Sequence, residues 1–288
     1  MSVVPNGNPL RSANHPISHH EILNKLHREL SQGEGEQSLE WELVDIAVAE
    51  RIGQKLDRTL ENRNIRFTFD ACTKTLRLVT MVSDIHECHI PWLSFSFGEL
   101  RANGLLTTPE FRSISIHSID RPNLKLIGFT GFLGQYTSSR KEPDAHIIPL
   151  SLDMPTVVVE SGWSESRAQL QRDRDLWLIG GRVNVVIVIK WVKNSSNEVA
   201  GDIAVFDLDS QGAVRCLQQQ IIFPEPPPSI ADAQQIRLTR GQIFGSSLPP
   251  GQNAAQILPL ELSELRYQAR ASLRRMGLTP QGNVGREE

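Results

Sequence analysis

The chain has 288 residues, 39% hydrophobic and 22% charged, ordinary values for a globular protein with a real core. A formal net charge of −3 argues against a generally basic nucleic-acid binder, although a local basic patch is compatible with it. Cys72, Cys88 and Cys216 match no zinc spacing and read as free thiols of an intracellular protein, cytoplasmic or nuclear. No stretch approaches the roughly 18 apolar residues that a membrane span needs.

Residues 1–18 are rich in Pro, Asn, Ser and His and are expected to be a disordered lead-in. His19 to Leu30 reads as a short amphipathic helix, with Ile22, Leu23, Leu26 and Leu30 at helical spacing. A polar break over 32–37 precedes a longer predicted helix, Ser38 to Leu60. Its expected buried stripe is Leu43, Ile46, Ala47, Ala49, Ile52, Leu56 and Leu60. The period then changes to two. Ile65, Phe67 and Phe69, followed by Leu76 and Leu78, alternate with polar residues around Asp70 to Lys74, which is a β-hairpin signature. A helix is expected over Glu87 to Asn103 and a strand around Ile114 and Ile116.

The centre carries the strongest pattern. Pro143 to Ile148 and Thr156 to Glu160 read as strands around a turn, Ser164 to Ile179 as a helix closed by Gly180-Gly181, and Val183 to Val192 as a very apolar strand. Further strands are expected at Ile203 to Leu208 and Val214 to Phe223. A final helix is expected over Leu258 to Met276, stopped by Gly277. The domain reading is a flexible segment with a short helix at 1–37, one domain at 38–278 and a flexible tail at 279–288.

Topology gathers distant residues. A turn centred on Leu152 pairs residues whose numbers sum to 304, so Asp144 faces Glu160, with side chains roughly 5 Å apart on one side of the sheet. A one-residue slip would separate them. The following β-α-β unit makes strands 156–160 and 183–192 parallel, so Glu160 and Lys190 lie at the same sheet edge. Two close carboxylates repel when both are ionised, and a divalent cation such as Mg²⁺ or Mn²⁺ relieves that repulsion. Such an ion activates water and neutralises a phosphoryl oxygen, and a nearby ammonium stabilises the transition state. Each residue also has a plain reading, as a turn Asp, a solvated strand-end Glu and a Lys where a strand meets water.

Pro143-Asp144, fifteen residues and then Glu160 closing Thr-Val-Val-Val resembles the PD-(D/E)XK pattern of restriction-endonuclease-like proteins. The nearer resemblance is to the Uma branch of endonucleases and its fungal relatives. It rests on Glu160-Ser-Gly-Trp-Ser-Glu-Ser166, Trp177-Leu178, the run Val185 to Lys190, the Phe67 to Leu78 hairpin with His86-Glu87, and the last helix. It implies an α/β fold with a restriction-endonuclease-like mixed central β-sheet flanked by helices. It also implies a metal-dependent nuclease acting on DNA or RNA, with Asp144, Glu160 and Lys190 catalytic. Asp144 and Glu160 would be the metal ligands, with Glu87 a further acidic candidate from a helix and Glu99 its competitor. The signature lysine belongs at position 162, where this chain has Gly162. Lys190 is the remaining candidate, and a catalytically degenerate binding or accessory protein is the alternative function.

Secondary signals are weaker. Asp173 shares a helix face with Leu170 and Trp177, and is either a solvated edge residue, a support for the metal site or a partner of Arg172 or Arg174. Ser164 is the expected N-cap, with Ser166 as the other choice. His86-Glu87-Cys88-His89 lacks a second ligand pair at zinc spacing. Ser138 to Lys141 is a basic loop placed to touch phosphate or to face solvent, and Arg266, Arg270 and Arg274 are expected on a solvated helix face.

Overall fold

The computed structural model describes residues 18–32, 36–58, 65–80, 83–116 and 128–282. Most of the expected lead-in and the last six residues lie outside them. In chain order, helix α1 (His19–Gln32) is followed by strand β1 (Gln37–Trp41), helix α2 (Ile46–Arg58) and the hairpin β2 (Ile65–Asp70) and β3 (Thr75–Thr80). Helices α3 (His89–Ala102) and α4 (Thr108–Arg112) lead to β4 (Ile114–Ile116). The central unit is β5 (Arg140–Lys141), β6 (Ala145–Pro149), β7 (Val157–Gly162), α5 (Arg167–Asp175) and β8 (Val185–Lys193). A π-helical turn, Leu176–Gly180, extends α5. Strands β9 (Glu198–Leu208) and β10 (Val214–Phe223), helix α6 (Pro228–Ala231), β11 (Gln235–Thr239), α7 (Arg240–Phe244), β12 (Ile257–Glu261), α8 (Leu262–Arg275) and β13 (Thr279–Pro280) complete the order.

The protein is mixed α/β, built on a seven-stranded mixed sheet with strand order β10-β9-β8-β7-β6-β4 and β13 beside β9. Strands β7 and β8 are parallel, as a crossover through α5 requires, while β6 runs antiparallel to β7. The pairs Ala145↔Val159, His146↔Val158 and Ile147↔Val157 all sum to 304, the predicted register. Valine-rich β7 and β8 are buried on both faces. Val157, Val159, Val185 and Ile187 join the main core with α3 and α8, and Val158 and Val186 join a smaller core around Trp177. Fully burying such a side chain stabilises by about 1.5–3 kcal/mol.

A second sheet, ordered β1-β3-β2-β5, is antiparallel. Its Ile65, Phe67, Phe69, Leu76 and Leu78 pack with Ile22 and Leu26 of α1 and Ala49, Ile52 and Leu56 of α2. Helix α1 is therefore integral to this core. Ser18 also belongs to the fold, because its N–H and Oγ each donate to the Glu21 carboxylate at 2.8 Å. At the other end, Thr279 and Pro280 pair with Glu198 and Val199 of β9.

Several boundaries differ from expectation. The Ser38–Leu60 helix is a strand followed by a helix. Leu39 and Trp41 alternate with polar neighbours and pair with β3, and Leu43, at φ 56°, turns the chain. The predicted stripe survives only in part, since Ala49, Ile52 and Leu56 are buried whereas Leu43 and Ile46 are exposed. Leu60 lies outside the described residues. The last helix begins at Leu262, because Ile257–Glu261 pairs with β11. Ser166, not Ser164, caps α5 in a reciprocal box with Gln169. The expected solvated arginine face on α8 holds for Arg274, which is exposed, but not for Arg266. Arg266 is fully buried and donates to the carbonyls of Ile221, Ile222 and Ala231.

Candidate functional site

Period-two geometry decides which side chains meet. On β6 and β7 the odd residues fill the main core, so Asp144, His146, Val158 and Glu160 share the opposite face, toward Trp177. The hairpin β2–β3 is likewise two-faced. Its odd β2 positions face α1 and α2, and its even ones, with Arg77 of β3, turn toward α5 and the end of β7. A layer of buried charge therefore lies between the two sheets.

Glu160 sits within this layer, 2% exposed. Trp177 donates its indole Nε1–H to Oε1 at 2.6 Å, and the Lys141 ammonium is 3.0 Å from Oε2. Lys141 is also 3.2 Å from Asp173 Oδ2, the same oxygen that pairs with Arg77. Burial pushes the Glu160 carboxyl well above its ordinary range, aided by Asp144 and Asp173 and opposed by Lys141. Burial opposes the Lys141 charge, but Asp173 and Glu160 outweigh it and raise its pKa. Asp173 is thus neither a solvated edge residue nor a partner of Arg172 or Arg174.

Asp144 extends the 304 register to the position opposite Glu160. Its Oδ2 accepts the Ser161 N–H at 2.7 Å, Oδ1 lies 3.0 Å from His86 Nε2, and Arg66 Nε grazes Oδ1 at 4.0 Å. Burial disfavours its ionisation, but His86, then Arg66 and Lys141, prevail and hold the carboxyl well below the usual range. His86 is itself wedged between two acids, with Nδ1 3.3 Å from Glu36 Oε2. Burial lowers its pKa, and the two carboxylates more than reverse that. Burial also opposes ionisation of Glu36, yet His86, Ser83 and Ser164 bring its carboxyl down to about 2.

Lys190 lies at the expected edge and on the expected face but does other work. Its ammonium donates to the carbonyls of Glu165 at 2.7 Å and Trp163 at 3.1 Å, which pins the turn before α5. Lys141 is the ammonium beside Glu160. No side chain at position 162 would fit without movement, since a Cβ there would lie 2.7 Å from the Leu170 Cδ1 of α5. Glu87 is partly exposed and pairs with Arg66 at 3.2 Å. Ser138–Lys141 is no solvated turn. Lys141 is buried in β5, and Ser139 Oγ accepts the Ala71 N–H.

The residues that the sequence reading missed are Glu36, Arg77, Lys141 as a partner of Glu160, and Glu165. Glu36, His86 and Glu165 offer ligand atoms within 4.8 Å of one another and are the set among the described residues that could hold a metal ion. Asp144 and Glu160 are a poorer fit for Mg²⁺. That ion retains several waters and needs free carboxylate edges, whereas here each carboxylate oxygen already meets a protein donor or cation. No described helix is long and apolar enough to cross a membrane. No protein-family model and no curated protein matches this chain.

Proposed function

We propose that this chain is a PD-(D/E)XK-like protein whose acidic centre has become structural, and that it acts as a binding or pathway accessory protein. The restriction-endonuclease-like character of the sheet and the kinship with the Uma branch belong to this proposal. They are supported by the Asp144–Glu160 register and the parallel β7–α5–β8 crossover. The observation that carries the loss of catalysis is the arrangement of Glu160, Asp173, Lys141 and Arg77. Two carboxylates and two cations are buried against one another, so neither Glu160 nor Asp173 is exposed to an approaching phosphodiester.

Incubation of the purified chain with supercoiled DNA and with single-stranded RNA, in Mg²⁺ or Mn²⁺, is expected to give no cleavage. Metal-dependent nicking that disappears in Asp144→Asn would overturn the proposal. One observation favours the nuclease reading, namely the Lys141 ammonium 3.0 Å from Glu160 where the signature lysine is missing. Under that reading Lys141→Met abolishes nicking and Lys190→Met preserves it, because Lys190 is committed to backbone carbonyls.

A further inference from the structure

Glu165 stands next to the site with an unmet need. It is 5% exposed, and its Oε2 is buried without a hydrogen-bond partner among the described residues. A buried carboxylate without a partner costs several kcal/mol by order of magnitude unless a charge compensates it. The side chain points toward Glu36 and His86, whose ligand atoms and its own lie within 4.8 Å of one another. The Glu36 to His86 Nδ1 separation is already 3.3 Å, close to the ligand–ligand spacing around a small tetrahedral ion.

We propose that Glu36, His86 and Glu165 bind a first-row divalent transition-metal ion such as Zn²⁺, with His86 ligating through Nδ1 and Asp144 holding the ring. Metal-bound histidines commonly give their other ring N–H to a carboxylate, which fixes tautomer and orientation. Asp144 Oδ1 lies 3.0 Å from Nε2, and a turn of the ring would aim the N–H at it. Glu36 is held by Ser83 and Ser164. Their N–H groups donate at 2.9 and 3.2 Å and their hydroxyls at 2.8 Å, so an ion on Glu36 would take the place of a serine hydroxyl on one carboxylate oxygen. One imidazole nitrogen with two carboxylates suits Zn²⁺ or Mn²⁺ better than Mg²⁺, which favours all-oxygen shells. Glu165 also lines a surface pocket of about 450 Å³ together with Trp163, Ser164, Gln169 and Lys190. The inference is independent of whether the chain cleaves nucleic acid, since it turns on Glu165 and not on Glu160.

The test is calorimetric titration of Zn²⁺ into the full-length chain after chelator treatment, with metal content measured on the chain as isolated. One equivalent of uptake is expected. Glu165→Gln, which keeps the side-chain shape, should weaken it at least about tenfold, and Asp144→Asn by about 10- to 100-fold as the loss of a ring-orienting partner. Circular dichroism confirms that each variant is folded. Substitution with Co²⁺ gives a second readout on wild type, in which visible d–d bands should shift when Glu165→Gln removes one oxygen ligand. Absence of stoichiometric uptake by wild type overturns the proposal, as does uptake by Glu165→Gln indistinguishable from wild type.

Discussion

Two buried charge clusters flank the end of β7, and they are balanced differently. On one side Glu160 and Asp173 meet Lys141 and Arg77, two carboxylates against two cations. On the other side Glu36, Asp144 and Glu165 surround His86, with the buried His89 nearby and Arg66 only grazing Asp144 at 4.0 Å. Both lie on the same face of the same sheet. The first is electrostatically closed and has the character of a structural element. The second retains excess negative charge and an unpartnered oxygen, and has the character of a site.

The largest expected effect comes from breaking the closed cluster. Lys141→Met leaves Glu160 and Asp173 facing each other without their shared cation, and should destabilise by about 3–5 kcal/mol in chemical denaturation. Adding Glu160→Gln in the same chain should recover a substantial part of that loss. A Lys141→Met chain as stable as wild type would show that the cluster is not closed in the way described.

Acid should unbalance the open cluster next. Glu36 titrates at about 2 in the fold against an ordinary 4.5, so its stabilisation is present above the unfolded value and disappears as pH falls from 4.5 toward 2. Asp144, also depressed, works in the same direction. Denaturation at about pH 5 and about pH 2.5 should differ by on the order of 2–3 kcal/mol for Glu36 alone. Glu36→Gln should flatten that part of the profile.

Smaller effects sharpen the contrast. Trp177→Phe keeps most of the ring but removes the indole N–H to Glu160, and should cost about 1–3 kcal/mol, the range for leaving a buried acceptor without its donor. Glu165→Gln in metal-free protein should change stability by less than about 1 kcal/mol or raise it, because no donor loses its partner. A large loss in that variant would place Glu165 in a closed network like that of Glu160.

Much of the site's geometry was legible. Apolar runs bounded by turn residues located β6, β7 and β8, and a turn at Leu152 fixed the register that sets Asp144 opposite Glu160. The crossover rule put Lys190 at the proper edge. What escaped was the use of each charge. In the β2–β3 hairpin, alternation marks one apolar face and one polar face, and a polar face ordinarily meets water. Here Arg66, Thr68 and Arg77 meet Asp144, Lys141 and Asp173 instead, because a second sheet and α5 cover them.

The sequence by itself determined the strand periods, the parallel crossover and the hairpin register, since these follow from side-chain alternation and chain connectivity over neighbouring residues. The tertiary structure alone decided which ammonium reaches Glu160, that a Cβ at position 162 would press on the Leu170 side chain, and that Glu36 joins His86 across fifty residues of chain. Charge pairing depends on distances of 3 to 4 Å between segments remote in sequence, and burial rewards whichever pairing removes the most unpaired charge. No local pattern encodes that choice.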